Sequence, residues 1–183
     1  MKTKFISKAL NYDGSQLRSH FAFESFNIVG DSIVSFIGGC EVSSHMVDLA
    51  DKKKNEFIYS EKMLHFIIEH FDDDLEKAIL RKRLLICVIH EELSKLSKKI
   101  FIRKDNGIYF GNKKLTVAIA TKSGVSTLIH IALNISSKNT PVKTISLNDL
   151  NISAGAFAKT ILKRYLDEIN SIKISRAKVM SVK

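Results

Sequence analysis

The sequence contains no tryptophan, one proline and only eight glycines among its 183 residues. Collagen-like repeats and proline-rich linkers are therefore excluded, because both need far more of these two residues. No apolar run reaches the roughly 20 residues that a membrane-spanning helix needs. The first residues also lack the apolar core of a signal peptide. We therefore expect a cytoplasmic protein with no membrane partner.

Cysteine is scarce as well, since Cys40 and Cys87 are too few for a disulfide framework or a zinc site. His65, Glu69 and His70 approach the pattern of an inverted zinc-protease motif, but one extra residue separates the histidines. On a helix that insertion rotates one histidine by about 100° away from the ligand face. The sequence therefore predicts no metal site.

Hydrophobic residues make up 45% of the chain and charged residues 26%, with a formal net charge of +10. This hydrophobic content is sufficient for one packed domain over residues 1–183. A basic surface can follow a nucleic-acid backbone. However, the lysines are spread along the whole chain, which favours an ordinary solvated surface. Both interpretations remain open at the level of sequence.

Hydrophobic periodicity and turn residues predict an α+β fold, with a mostly antiparallel sheet and packed helices. The region from Cys40 to Asn55 is predicted to be a loop with one helical turn. We expect the last four strands to form a meander in sequential order, and Asp105-Asn106-Gly107 to make the first hairpin turn. The predicted helices cover 16–27, 75–96 and 154–172, and the predicted strands cover 32–37, 63–71, 100–104, 108–110, 114–121 and 128–135.

Several short motifs occur together along the chain. They are Tyr12-Asp13-Gly14-Ser15, Arg18-Ser19-His20, Gly30-Asp31-Ser32, Met46-Val47-Asp48, the run from Lys114 to Thr121, Ser126 and Ile129-His130. Together these motifs resemble an uncharacterised prokaryotic family, number 366 among the domains of unknown function. The resemblance covers nearly the whole chain and implies no established activity.

A second, more distant resemblance concerns residues 111–120 and 128–133. These two segments are similar to the core of the lipoate- and biotin-protein ligases, which reads G-x-K-h-[ST]-G-x-A, then a loop, then h-x-H-G-x-L. The resemblance implies a ligase-like fold. In that motif the lysine contacts the carboxylate of the acid and the phosphate of the adenylate, and Lys114 takes its place here.

The chain also departs from the ligase pattern. Val117 and Ile131 stand where those ligases have glycine. The segment 40–55 carries Met-Val-Asp and lysines in place of a glycine-rich substrate loop. The resemblance implies ATP as a co-substrate, and these departures leave the use of ATP open.

The candidate site combines these motifs. Lys114 and His20 are the catalytic candidates, because a fixed cation stabilises developing negative charge and a histidine titrates near neutral pH. We expect Lys114, Arg18 and His20 to line one pocket. The alternatives are an exposed turn lysine at position 114 and simple ion pairing of the helix residues with Asp13 or Glu24. The candidate ligand-binding residues are Arg18, Ser19, Asp48, His65, Glu69 and His130.

The leading functional hypothesis is a pocket for an anionic small molecule with a carboxylate, acyl or adenylate-like group. Such a pocket would support acyl transfer, as in a transferase or ligase of the lipoate and biotin type. The alternative is a non-catalytic nucleic-acid-binding protein that uses its basic surface. Salt separates the two, because affinity for a nucleic-acid backbone falls steeply with salt concentration. The sequence leaves the oligomeric state open.

Overall fold

The computed structural model describes residues 1–42, 47–53, 57–104 and 107–182. Strands and helices alternate over the first six elements, five consecutive strands follow, and the strands form two separate β-sheets. In chain order the elements are β1 (Lys2–Phe5), α1 (Phe21–Phe26), β2 (Ser32–Val42), α2 (Leu49–Lys53), β3 (Ile58–His70), α3 (Leu75–Ser97), β4 (Ile102–Lys104), β5 (Gly107–Phe110), β6 (Lys113–Lys114), β7 (Thr116–Lys122), β8 (Thr127–Asn134) and α4 (Ala154–Ala177).

The main sheet has five strands in the order β1-β2-β3-β8-β7. β1 runs parallel to β2, and the other neighbouring strands are antiparallel. The predicted fold class, α+β with a mostly antiparallel sheet and packed helices, is therefore confirmed. β1 was not predicted, because its sequence Lys-Thr-Lys-Phe has little of the apolar alternation that marks a strand.

The two faces of the main sheet differ because side chains alternate along each strand. On one face, Leu64, Phe66 and Ile131 pack with residues of α3 and α4, including Leu85 and Phe157. The opposite face is covered by the segment before and within α1. On that face, the buried apolar residues include Tyr12, Phe21, Val34, Phe36, Met63, Ile67 and Ala132.

Helix α3 begins and ends as its sequence indicates. Asp74 is the N-terminal cap, and its carboxylate accepts a hydrogen bond from the Lys77 amide at 2.9 Å. At the other end, Lys98 adopts a left-handed conformation with φ 53°. The predicted range 75–96 therefore differs from the observed helix by one residue. Capping and hydrophobic periodicity agree here, and agreement between local signals makes a boundary predictable.

The predicted four-stranded meander is wrong as a single sheet. The strand expected over 114–121 is interrupted at Leu115, whose amide donates to Ile108 while its carbonyl accepts from Asn134. Leu115 therefore joins two sheets. The segment before it, β6, belongs to a three-stranded sheet with β4 and β5, and the segment after it, β7, pairs with β8 in the main sheet. The predicted turn residues Asp105 and Asn106 lie outside the described residues.

Other boundaries also differ from the prediction. The first helix begins at Phe21 rather than at residue 16, because His20 has φ 64°, which a right-handed helix does not accept. β2 continues to Val42 through an irregularity in register between Gly38 and Cys40. In the region from Cys40 to Asn55, the predicted helical turn is present as α2, residues 40–42 belong to β2 rather than to a loop, and 43–46 and 54–55 lie outside the described residues.

Candidate functional site

A cavity of about 410 Å³ lies against the α1-covered face of the main sheet and reaches the edge of the smaller sheet. Most of its wall is apolar or aromatic. Strands β7 and β8 contribute Val117, Ile119, His130 and Asn134 to it, and the smaller sheet contributes Lys114. Other lining residues are Tyr12, Leu17, Val42, Val47, Asp48, Phe57, Ile58, Tyr59, Ser60, Met63, Tyr109, Val142 and Thr144.

Lys114 is held by the backbone on both sides. Its amide donates to the Lys143 carbonyl at 3.0 Å, and its own carbonyl accepts from the Ile145 amide at 3.1 Å. The side-chain amide of Asn134 donates to the same carbonyl at 3.4 Å. Lys114 is half-buried and lines the cavity, and because its backbone is already fixed, binding there costs little backbone entropy.

Asp48 is the acidic residue among the described residues that line the cavity. Its carboxylate accepts from the Ala50 amide at 2.9 Å at the start of α2. Its negative charge also interacts with the ammonium of Lys82, a buried lysine of α3. Burial lowers the pKa of the Lys82 ammonium, and the Asp48 charge opposes that shift. Asp48 therefore balances positive charge near the cavity.

Two buried histidines from neighbouring strands meet beneath the cavity. His65 Nδ1 lies 3.1 Å from His130 Nε2, and His65 Nε2 lies 3.3 Å from the Gly38 carbonyl oxygen. Burial lowers the pKa of His65 to about 4 and lowers the pKa of His130 well below its usual value. Both rings are therefore neutral near pH 7. His130 lines the cavity, and His65 lies behind it.

Tyr12 fixes the His130 ring by stacking on it, with ring centroids 3.8 Å apart. The Tyr12 backbone reaches this position because it pairs with β2 through Gly39 and Glu41. That approach requires glycine at position 38, since a Cβ atom there would lie 2.0 Å from the Leu10 carbonyl oxygen. Burial raises the pKa of the Tyr12 hydroxyl, so it stays protonated.

The other predicted site residues are placed differently. Arg18 is exposed and pairs with Glu24. Glu69 is buried, and its carboxylate accepts from the His20 amide at 2.9 and 3.1 Å and from the Ser126 hydroxyl at 2.7 Å. The cavity thus brings together Lys114, Asp48 and His130. The predicted residues outside its lining are Arg18, Ser19, His20, His65 and Glu69.

Several cavity residues were not singled out from the sequence. Tyr12 had a signal, because it stands in one of the motifs that resemble the family. Ser60 had none, since it lies outside the quoted motifs and before the predicted strand 63–71. Among the described residues, no group of three or more His, Cys, Asp or Glu side chains is close enough together to hold a metal ion. No helix among them has the length and apolarity to cross a membrane.

The family can now be assigned, because the model of a domain of unknown function, DUF366, matches residues 1–180. The chain belongs to the DUF366 family. An uncharacterised protein of Methanocaldococcus jannaschii is 38% identical over 180 residues, covering 94% of this chain and 81% of the relative. A solved structure of a protein of unknown function from Pyrococcus horikoshi matches with a TM-score of 0.93 and 34% identity, covering 99% of this chain and 98% of that one.

More distant structures extend the comparison to ligases. The biotin protein ligase of Aquifex aeolicus, in the form of a mutant in complex with biotin, has a TM-score of 0.62 at 13% identity and covers 94% of this chain and 72% of that one. A putative lipoate protein ligase of T. acidophilum with bound lipoic acid has a TM-score of 0.57 at 16% identity, covering 92% and 85%. This DUF366 chain therefore has the fold of the biotin and lipoate ligases.

Proposed function

We propose that the cavity binds an anionic small molecule with an apolar body and a carboxylate, acyl or adenylate-like head. One observation carries the proposal. The cavity of about 410 Å³ has a mostly apolar wall, and Lys114 is the basic residue among the described residues that line it. Apolar walls with a few placed polar groups are typical of small-molecule sites. The cavity size is within the range of such sites.

The number of charges favours a singly charged head group. A triphosphate needs several cations or a metal ion to balance it, whereas the described lining supplies Lys114 and the opposite charge of Asp48. The biotin and lipoic acid in the two ligase structures are carboxylic acids with apolar chains, which supports the same class of ligand. ATP is therefore the weaker candidate for this cavity.

Acyl transfer is the reaction that this arrangement would support. When an acceptor nucleophile attacks an already activated acyl carbon, negative charge develops on the carbonyl oxygen until the bond to the activating group breaks and that group leaves, and a cation beside the oxygen lowers the barrier. The backbone of Lys114 is anchored at its amide and carbonyl, so only its side chain has to be ordered to hold such a position. We assign it the role of binding the head group and stabilising this charge.

The test is a thermal-shift screen with octanoate, lipoate, biotin and ATP. A carboxylic acid present at about 100 times its Kd should stabilise the protein by about 2.7 kcal/mol. For a chain of this size, that corresponds to a rise in Tm of about 5–10 °C. Lys114→Ala should weaken binding at least about tenfold, because a charge-assisted hydrogen bond is lost.

Lys113→Ala is the matched control, because Lys113 is the exposed neighbour in the same strand and lies outside the cavity lining. It should bind the acid as the unmodified protein does. Both variants should unfold, without ligand, within a few degrees of the unmodified protein. Equal loss of binding in both variants would show a diffuse charge effect and contradict the proposed role of Lys114.

A further inference from the structure

The hydrogen bonds of the two buried histidines determine which ring nitrogens carry protons. The Gly38 carbonyl oxygen can only accept a hydrogen bond, so His65 Nε2 must donate to it. A neutral imidazole carries one N–H, which leaves His65 Nδ1 as an acceptor. His130 Nε2, at 3.1 Å from that nitrogen, must therefore be the donor.

The neutral ring of His130 carries its one proton on Nε2, so His130 Nδ1 is an acceptor. The two nitrogens of an imidazole point to nearly opposite sides of the ring, so Nδ1 lies on the side of His130 away from His65. His130 lines the cavity although only 4% of its surface is exposed. Among the described residues, no group donates a hydrogen bond to His130 Nδ1.

The environment keeps the proton arrangement in place. Burial lowers the pKa of both histidines, so neither ring becomes a cation near pH 7. Stacking of Tyr12 on His130 at 3.8 Å opposes rotation of the ring. His130 Nδ1 has no donor among the described residues and is not one of the fully buried unpartnered atoms, so the cavity that His130 lines is the place from which a donor can come.

A second polar atom of the cavity wall also lacks a hydrogen-bond partner among the described residues. The Ser60 hydroxyl has no hydrogen-bond partner among the described residues, and Ser60, 3% exposed, lines the cavity. The hydroxyl of Ser35 is equally unpartnered but lies outside the cavity lining. An unpartnered serine is therefore only supporting evidence, and the fixed acceptor on His130 carries the argument.

We propose that the ligand carries, besides its anionic head, a neutral hydroxyl or amide N–H that donates a hydrogen bond to His130 Nδ1. This inference rests on the proposed function, since it concerns the occupant of the same cavity. It selects among anionic ligands: a hydroxylated or amide-bearing acid fits the wall, and a plain alkyl acid leaves the acceptor unpaired. His130 is then a residue that determines specificity.

The experiment compares matched pairs of acids by calorimetry. For each chain length from four to ten carbons, the unsubstituted acid is compared with its ω-hydroxy and ω-carboxamide forms. At one length or more, a donor-bearing acid should bind about tenfold tighter than its plain counterpart of the same length. In His130→Phe, which keeps a ring but removes the acceptor, the preference should disappear or reverse.

Nitrogen-15 NMR of the histidine rings tests the premise without any ligand and without a variant. Both His65 and His130 should be protonated on Nε2 and unprotonated on Nδ1 at pH 7. A proton on His130 Nδ1 would overturn the inference. Equal or tighter binding of the plain acids at every length would overturn this inference and leave the proposed function standing. Failure of every acid to bind would overturn both.

Discussion

Glu69 is a buried carboxylate that fastens the start of α1 to the centre of the sheet. Its two oxygens accept from the His20 amide, and one of them also accepts from the Ser126 hydroxyl. His20 has φ 64°, a conformation that costs energy for a residue with a side chain. The hydrogen bonds from the backbone to Glu69 compensate for that cost.

We expect Glu69→Gln to destabilise the protein by about 1–3 kcal/mol, because an amide cannot accept all of these hydrogen bonds and buried donors lose their partners. Urea unfolding at pH 7 measures the change. Binding of an acid in the cavity should remain within about twofold, since Glu69 lies outside the lining. A loss of binding without a loss of stability would instead place Glu69 in the site.

Glu24→Gln is the control for this prediction. Glu24 is exposed and pairs with Arg18 on the surface. Surface ion pairs of this kind contribute about 0–1 kcal/mol. The two substitutions make the same chemical change, so the difference between them isolates the effect of burial and of the backbone hydrogen bonds.

The sequence predicted part of the candidate site for definite reasons. Lys114 and His130 stand in motifs of two strands, and sheet pairing brings both to the cavity. Arg18 and His20, placed on a helix predicted from residue 16, were expected beside them on the assumption that the family-like motifs converge on one pocket. The left-handed residue at position 20 breaks that helix, and the partner of His20, Glu69, is 49 residues away in sequence. Local patterns do not encode such a contact.

At the level of elements, β3 and β8 place three histidines in the protein interior. They are His65 and His70 on β3 and His130 on β8. Burial is the main cause of the lowered pKa in each. His70 also contacts the Tyr165 hydroxyl of α4 at 3.1 Å and the Asp31 carboxylate at 3.4 Å, so its ring takes part in joining the helix to the sheet.

These histidines make stability fall as the pH is lowered from 7 towards 5. Each folded-state pKa lies below the unfolded value of about 6.5, so the unfolded chain binds more protons in this range. Each histidine that stays neutral when folded removes up to about 1.4 kcal/mol per pH unit below 6.5. Urea unfolding at pH 7.5 and 5.0 should show this loss.

His20→Asn serves as the control for the pH dependence. His20 is exposed, and asparagine tolerates positive φ. The variant removes a histidine that is not one of the three buried ones, and the loss of stability between pH 7.5 and 5.0 should still be seen in it. A protein equally stable at both values would contradict the assignment of buried, neutral histidines, including the pair beneath the cavity.

Elements with strong local signals were predictable, and their assembly was less so. Helix α3 carries a capping aspartate and a regular apolar face, and both act within a few residues. The division of the predicted meander depends instead on Leu115, where hydrogen bonds to Ile108 and Asn134 separate two sheets. Those partners are set by the packing of the whole fold, which alternation along one strand does not show.

At the scale of the whole molecule, the net charge of +10 is the dominant electrostatic feature. Part of the positive charge is neutralised locally, since Arg164 pairs with Glu91 and Arg81 pairs with Asp72. The lysines, which supply most of the positive charge, are distributed along the chain. A diffuse field of this kind attracts polyanions without selecting a sequence.

We therefore expect weak, salt-sensitive binding to DNA beside salt-tolerant binding of the cavity ligand. Fluorescence anisotropy with a short labelled duplex should give a Kd of about 10⁻⁴ to 10⁻⁶ M at physiological salt, with log K falling linearly in log salt. In the same buffers, raising the salt concentration from about 50 to 200 mM should reduce the affinity for the acid by less than about tenfold. One charge contact is involved, and buried charges are less screened.

Two duplexes of unrelated sequence and equal length complete this comparison, and Lys114→Ala provides the matched variant. Removing one lysine should reduce DNA binding only slightly, because many phosphates and lysines share the interaction. The same substitution should remove most of the affinity for the acid, because Lys114 is the cation of the described cavity lining. Nanomolar binding that persists at about 200 mM salt and distinguishes the two duplexes would favour the nucleic-acid function over the anionic small molecule, since specific complexes keep such affinity.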